Sequence, residues 1–423
     1  MALGLREYEI DLNLPGRLGD SDLLPLTPEE LLVQVGAGLE RREGPRALAA
    51  TLEHVRYKPH VALSASYAVE LEGGVTCIVT YRVHRGGKWN SVARDWQANA
   101  HLEQQTAHLE PVCLLPGNAS LWTFPCDRVL RGAARALNLR RTARLLDELG
   151  GYAPFVMRLR ASQVQLRRYK SERRAVFQLN ARLRNEAGDR KEARFALRCL
   201  PAEQAQRVAN ARTELAAAHT GLPVPRLLAF DDRAGILIET WENGQSNEEG
   251  PDQHQELAAR LLQSLHQVPT SNRSRREAPA PPLSYLQWNG SLLLSATALP
   301  PRPAIHPTCW IHGDFHPDQV LLGDAPRLLD LDDLRPGAPE EDLAQWIVDH
   351  IVAGADPREA REQFQAAYRA AGKAPIAPAL LHRLLVATLV ERAAACVRRL
   401  EVHAEERARE WVDCATRLWE AGQ

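Results

Sequence analysis

At 423 residues the chain is long enough for two to three domains with real cores, and a net charge of −1 offers no global reason to expect a nucleic-acid or membrane-surface partner. Its seven cysteines are odd in number and lack paired metal-ligand spacing, which points to a reducing, cytoplasmic setting and away from a disulfide framework or a structural zinc. No apolar run approaches the ~20 residues of a membrane span, and the charged residues 1–9 are expected not to form a signal peptide.

Thr27-Pro-Glu-Glu30 predicts a helix start, and Leu31, Leu32 and Val35 begin its apolar face, so a helix is expected over residues 27–52. Two strands follow, over 61–71 and 75–83, joined by a Glu72-Gly-Gly74 turn. Residues 91–109 are expected to form a solvent-facing helix. Leu121-Trp-Thr-Phe-Pro125 is a short extended piece, and a helix is expected over 128–149. Arg56-Tyr-Lys58 with its two strands echoes Arg168-Tyr-Lys170 with the two strands after it. The echo reads either as chance in an Arg-rich chain or as a degenerate copy of one sheet.

Residues 163–169, 175–183 and 192–200 read as three antiparallel strands, with turns at Lys170-Ser-Glu-Arg173 and Asn185-Glu-Ala-Gly-Asp189. Between Arg158 and Arg198 thirteen Arg or Lys stand against four Asp or Glu. A nucleic-acid groove would interleave aromatics, and only Tyr169, Phe177 and Phe195 lie there. A nucleotide phosphate site is the better use of this charge. A helix is expected over 201–218, then strands over 224–230 and 235–240 that lead into Trp241-Glu-Asn-Gly244.

Leu257, Leu261, Leu262 and Leu265 mark a helix over 252–267, with His266 at its end as a packing residue. Residues 270–305 read as a surface connection. Then comes Trp310-Ile-His-Gly-Asp-Phe-His-Pro-Asp-Gln-Val-Leu-Leu322, followed by Arg327-Leu-Leu-Asp-Leu-Asp-Asp333. This predicts a loop carrying His312 and Asp314, and a hairpin that delivers Asp330 beside them. Helices are expected over 340–353, 357–371, 376–402 and 404–421, with a capping box at Asp356-Pro-Arg-Glu359 and solvated Arg-rich faces on the last two. Asp342 is expected to anchor the loop before it.

Phosphoryl transfer needs a carboxylate that orients and deprotonates the attacking hydroxyl. It also needs a carboxylate and an amide oxygen to hold Mg²⁺ on the nucleotide phosphates. Asp314, Gln319 five residues on, and Asp330 on the following strand have those types at the spacing of a kinase catalytic loop. Asp314 is then the base, and Gln319 and Asp330 are the metal ligands. The plainer alternative is an acidic hairpin whose carboxylates cap turns. The combination of His-Gly-Asp, an amide at plus five and Leu-Asp-Leu-Asp-Asp weighs against it.

His312-Gly-Asp-Phe-His-Pro-Asp-Gln319, Leu329-Asp-Leu331, Gly337 and Asp342-Leu-Ala344 resemble the aminoglycoside phosphotransferase and choline kinase superfamily. Its members carry His-Gly-Asp-x-His-x-x-Asn, Ile-Asp-Phe, Gly and Asp-Leu-Ala. Gln319 departs from Asn by one methylene, as in maltokinase-like relatives. The resemblance implies an α+β, two-lobed protein-kinase-like fold, with an antiparallel β small lobe and hinge at 156–245 and a mainly helical catalytic lobe at 246–423. Residues 1–155 would be an extra N-terminal α/β cap, in which the Arg-Tyr-Lys echo would be a degenerate small-lobe copy.

The resemblance also implies roles in the small lobe. Phe195-Ala-Leu-Arg198 stands where kinases carry Val-Ala-Ile-Lys, so Ala196 would line the adenine pocket and Arg198 would bind phosphate. Strand alternation puts both on one face. Arg keeps the charge of Lys but not its geometry, and the first turn lacks the glycines of a phosphate-covering loop. Glu214 is the implied partner of Arg198, or else a solvated helix residue. Backbone groups from Glu239 to Trp241 would pair with adenine. The implied activity moves the γ-phosphate of Mg-ATP to a hydroxyl of a small molecule: a sugar or polyol, an aminoglycoside or an amino alcohol. Gln319 and the N-terminal region tilt the choice towards a sugar or polyol. The alternative is a kinase-like nucleotide-binding regulatory protein without transfer, motivated by Arg198 and the Gly-poor turn. No nucleic acid or membrane partner is expected.

Overall fold

Thr27 starts a helix in the way its sequence predicts: its hydroxyl accepts from the Glu30 amide at 3.2 Å, and the Glu30 carboxylate accepts from the Thr27 amide at 2.9 Å. The structure, a computed structural model, describes residues 10–86, 89–98, 109, 112–148, 154–219, 221–246, 251–270, 286, 290–322, 326–372 and 374–422. In chain order the first region holds α1 (Leu14–Arg17), α2 (Pro28–Arg41), β1 (Ala47–Lys58), β2 (Ala62–Leu71), β3 (Val75–His84), α3 (Trp89–Ala98), β4 (Val112–Leu115), β5 (Ala119–Thr123), α4 (Gly132–Ala136) and α5 (Leu139–Glu148). The second holds β6 (Val156–Met157), β7 (Gln163–Lys170), β8 (Arg174–Arg184), β9 (Arg190–Cys199), α6 (Ala202–Ala218), β10 (Leu227–Asp231) and β11 (Ile236–Thr240). The third holds β12 (Gln245–Ser246), α7 (Pro251–His266), α8 (Gly290–Ala298), β13 (Cys309–Ile311), β14 (Val320–Leu322), β15 (Arg327–Leu328), β16 (Arg335–Gly337), α9 (Pro339–Val352), α10 (Pro357–Ala371), α11 (Pro378–Arg398) and α12 (Ala404–Ala421).

The fold is α+β. One antiparallel sheet runs β1-β2-β3-β5-β4. A second runs β10-β11-β9-β8-β6, with β7 also paired to β8. Two small sheets, β12-β14-β15 and β13-β16, carry the segment around Asp314 and Asp330. Among the described residues no helix is long and apolar enough to cross a membrane. All seven cysteines are free thiols.

Several expected elements are redrawn. The helix expected to reach residue 52 stops at Arg41, and residues 47–52 belong to β1. Ala47-Leu-Ala-Ala50 suits a helix locally, but pairing of Ala50 with Val69 and Leu52 with Tyr67 overrides that preference. The helix expected over 91–109 is α3, ending at Ala98, and residues 99–108 lie outside the described residues. It does not simply face solvent: Val92 and Trp96, one turn apart, are buried with Trp122, and the two indoles lie 5.2 Å apart. The helix expected over 128–149 is split into α4 and α5. Part of the presumed surface connection is helix α8, with Leu292 buried, and α11 is apolar nearly all round rather than a solvated Arg-rich face.

Two packing units result. The strands β7, β8, β9 and β11 share a core with Leu130, Ala133, Ala136, Ala143 and Leu146 of the α4–α5 segment, across the boundary expected at 155. The sheet β1-β2-β3 instead shares a continuous core with the helices of the third region. The N-terminal part thus packs on both lobes.

The Arg-Tyr-Lys echo occupies equivalent places. Arg56-Tyr-Lys58 closes β1 and Arg168-Tyr-Lys170 closes β7, each followed by a tight turn and two antiparallel strands. Tyr57 donates its hydroxyl to buried Asp20, and Tyr169 donates to buried Asp127 at 2.8 Å. The same carboxylates accept the amide three residues past each tyrosine, from His60 at 2.6 Å and Glu172 at 2.8 Å. Both of those residues have φ of 57°.

Candidate active site

Two bonds to one carboxylate shape the loop that carries Asp314. Asp342, in the first turn of α9, accepts the His312 amide at 2.7 Å and the Gly313 amide at 2.8 Å. It also meets His266 Nε2 at 3.0 Å, and His266 Nδ1 meets the Tyr368 hydroxyl at 2.6 Å. Burial pushes the Asp342 carboxyl up, but the His266 bond and charge, the His312 charge and the Gly313 amide outweigh it and hold the group below the usual range. Gln345, nearly one turn on, accepts the Phe315 amide at 2.5 Å and donates to the Gly313 carbonyl at 2.9 Å. Gly313 has φ of +85°, and a Cβ there would run into the Asp333 carbonyl, so glycine is required. His312 Nε2 meets the Leu329 carbonyl at 2.7 Å, which joins the loop to the segment before Asp330. Asp342 is thus the expected anchor, and His266, expected only to pack, extends it. The Asp314 side chain itself is exposed at the mouth of this loop.

The segment that His312 joins to this loop carries a cluster of charge that is largely shielded from solvent. Leu329 donates its amide to the Gln319 carbonyl at 2.8 Å, which sets Gln319 beside the residue before Asp330. Asp330 takes a left-handed backbone with φ of 57°. Its Oδ1 accepts from Arg174 Nη1 at 2.6 Å and from Arg198 Nη2 at 2.6 Å. Arg198 Nη2 also stands 2.6 Å from Asp332 Oδ1, as an ion contact without the alignment of a hydrogen bond, so that oxygen has no hydrogen-bond partner. Burial works against ionising Asp330, but Arg174 and Arg198 prevail and hold it well below the usual carboxylate range. Asp332 is pushed up by burial and by its neighbour Asp330, which Arg198 only partly offsets. Arg198 is raised, because Asp332, Glu239 and Asp330 outweigh its own burial.

The small-lobe residues fall as follows. Phe195, Leu197 and Cys199 enter the core, so Ala196 and Arg198 share the opposite face, as alternation predicts. Glu214 is exposed on α6 and is not the partner of Arg198. The nearby buried acid is Glu239 of β11, 3.6 Å from Arg198 and bonded at 2.8 Å by Arg212 of α6. The helix thus brings an arginine to its buried face and the acid comes from the strand. The expected hinge is also altered: the Thr240 and Trp241 amides already donate, to the carbonyls of Arg226 and Arg194. The first turn is pinned. Glu172 pairs with Arg128 at 2.6 Å and with Arg82, in addition to the Asp127 bond.

Arg174, Asp332, Gln345 and the Arg212–Glu239 pair were not anticipated. The Arg173-Arg174 run inside the charge excess of 158–198 was the signal for the first. Among the described residues no group of three or more His, Cys, Asp or Glu side chains is gathered to hold a metal ion. Mg²⁺ commonly takes only one or two carboxylates and completes its shell with phosphate and water. Asp330, Asp332 Oδ1, which has an ion contact to Arg198 but no hydrogen bond, and the Gln319 side-chain oxygen Oε1, whose neighbour Nε2 is turned to His316 at 2.8 Å, fit that need for hard oxygen donors.

No curated protein matches the chain. Among solved structures it is similar to the choline kinase LicA from Streptococcus pneumoniae, at 12% identity and TM-score 0.39, over 56% of this chain and 89% of that one. A microcompartment-associated aminopropanol kinase is similar at 15% identity and TM-score 0.39, over 66% and 95%. The aminoglycoside phosphotransferase APH(3'')-Id from Streptomyces rimosus, in complex with ADP and streptomycin, is similar at 19% identity and TM-score 0.33, over 59% and 96%. Residues 161–379 match the family described as "Phosphotransferase enzyme family". That stretch is just over half of the chain and contains Asp314, Gln319, Asp330, Arg174 and Arg198, so the chain belongs to the phosphotransferase enzyme family.

Proposed function

We propose that the chain transfers the γ-phosphate of Mg-ATP to a hydroxyl of a small molecule. The observation that carries this reading is the joining of two sets of groups through the His312–Leu329 bond. Asp314 stands exposed on a loop tied by Asp342 and Gln345, while Asp330, Asp332, Arg174 and Arg198 form a largely shielded charge cluster beside Gln319. Asp314 would orient the acceptor hydroxyl and take its proton. Arg198 and Arg174 would turn from Asp330 to the nucleotide phosphates, which frees the Asp330 carboxylate. Asp330 and Gln319 would hold Mg²⁺, whose charge offsets that of the phosphates when bound. Ala196 would line the adenine pocket. With the Thr240 and Trp241 amides occupied, adenine would have to pair with other backbone groups of the 239–244 segment. A sugar or polyol, an amino alcohol and an aminoglycoside are the acceptor classes to screen.

The test is calorimetric titration of ATP with and without Mg²⁺, followed by an ATP-consumption screen over those classes. Mg-dependent binding with consumption on one class is the expected result. Binding without consumption on any acceptor would assign the chain to a nucleotide-binding regulatory role instead.

A further inference from the structure

The charge excess of the second region is not absorbed by the nucleotide site. Val55 and Tyr57 are buried in the core, so His54, Arg56 and Lys58 project from the other face of β1. Tyr169 is buried, so Arg168 and Lys170 project from the other face of β7. These faces are brought together where Ser64, paired with Arg56 in the sheet, meets Ser171 at 3.2 Å between hydroxyls. The turn adds Arg173, and the end of α11 adds Arg399, which pairs with Glu401 at 3.4 Å. Arg56, Arg168, Lys170 and Arg173 make no ion pair among the described residues, and the buried Nε atoms of Arg56 and Arg168 have no hydrogen-bond partner.

Crowding cations together with no bonded counter-charge is costly even where, as here, Arg56, Arg168 and Lys170 are only half-buried and Arg173 is exposed, and the usual remedy is a bound anion. The nucleotide phosphates do not account for the whole of this group. Arg174 and Arg198 bond Asp330, and Arg168 lies within the electrostatic reach of Asp330 and Asp318, whereas Arg173 lies within that of Asp314 and Asp333. Arg56 and Arg399 lie outside the stretch that matches the family, so a phosphate site shared by the family does not depend on them. The mutual repulsion is marked at Lys170. Burial first, then Arg168, Arg174, Arg173 and Arg399, push its amine down to about 6.

Building on the phosphotransferase reading, we propose that the acceptor alcohol carries a phosphate or similar dianion of its own, held by Arg56, Arg168, Lys170 and Arg173 while its hydroxyl faces Asp314. The N-terminal sheet would then supply acceptor specificity through Arg56.

The test uses the full chain saturated with Mg²⁺ and the non-hydrolysable analogue AMP-PNP, which fills the γ-phosphate position, and titrates inorganic phosphate by calorimetry. Phosphate is expected to bind. Arg56→Met should weaken it by about tenfold, the size of one charge-assisted bond, and Arg56→Lys should restore most of it. Mg-nucleotide affinity should stay unchanged in both variants. Melting temperature should not fall in Arg56→Met, because a repelled charge is removed. Glycerol 3-phosphate should displace the phosphate and glycerol should not. Absence of phosphate binding, or equal binding in Arg56→Met, overturns the inference while Mg-nucleotide binding leaves the kinase reading standing. Phosphate that binds but is not displaced by glycerol 3-phosphate makes free phosphate the ligand and overturns the acceptor assignment. Failure of Mg-nucleotide binding overturns the kinase reading and this inference with it.

Discussion

A carboxylate that takes a proton from an alcohol must itself be free to meet it, while the backbone under it stays still. Asp314 has that arrangement, exposed between the tied residues Gly313 and Phe315. Asp314→Ala is therefore expected to cut turnover by ~10²–10⁴, the range for loss of a general base, with ATP affinity and melting temperature nearly unchanged. A variant that melts early yet turns over normally per folded molecule would make Asp314 structural. Asp330 behaves oppositely because two arginines hold and largely cover it. Asp330→Asn should abolish Mg-dependent ATP binding and also cost about 3 kcal/mol of stability, since it strips two buried guanidinium groups of a counter-charge. Denaturant titration gives the second quantity, and unchanged Mg-ATP affinity would sink the ligand role.

At the scale of elements, the first turn of α9 governs the loop that carries Asp314. Asp342→Asn keeps the shape but aims an amide group at two backbone N–H donors, so a loss of about 3 kcal/mol together with a fall in turnover is expected. Tyr368→Phe removes only the outer link to His266 and should cost about 1 kcal/mol. If the two variants lose equal stability in the same denaturant series, Asp342 is not the anchor. The loop residues were legible in sequence because the chemistry is local: His312, Asp314, Gln319 and Asp330 lie within one short stretch, and Asp342-Leu-Ala344 follows it. The misread partner of Arg198 has a different cause. Sequence spacing places Glu214 on α6 but does not say which face is buried, and the buried position went to Arg212, with the acid on β11. Alanines 47, 49 and 50 misled for a similar reason, because only their pairing with β2 makes them strand. The Val92–Trp96 pair had its partner, Trp122, too far along the chain for helical periodicity to show it.

For the whole molecule, the packing of the N-terminal sheet on the helical lobe creates the cationic junction, and that junction has a pH signature. Lys170 is down at about 6 in the folded chain, facing Arg168, Arg173 and Arg174 of its own hairpin, His54 of β1 and Arg399 just past α11. A lysine in the unfolded chain titrates near ~10.4. Between those values the unfolded chain holds the extra proton, so this group makes stability rise with pH from about 6 to about 10. Lys170→Met should be more stable than the parent at pH 7, with the gap in melting temperature closing towards pH 10. Parallel slopes in the two chains would show that Lys170 is not the titrating group.

The pinned turn at Glu172 has a kinetic consequence. Many phosphoryl-transfer enzymes gate nucleotide by the swing of a flexible flap, and such gating often sets turnover. Here the corresponding turn is riveted by Asp127, Arg82 and Arg128, so there is little flap to swing. Departure of ADP would instead be a hand-over, in which Arg174 and Arg198 let go of phosphate as they close on Asp330 and Asp332. A hand-over between neighbouring side chains displaces almost no solvent, so nucleotide release is expected to stay nearly constant as a viscogen without hydroxyl groups thickens the medium.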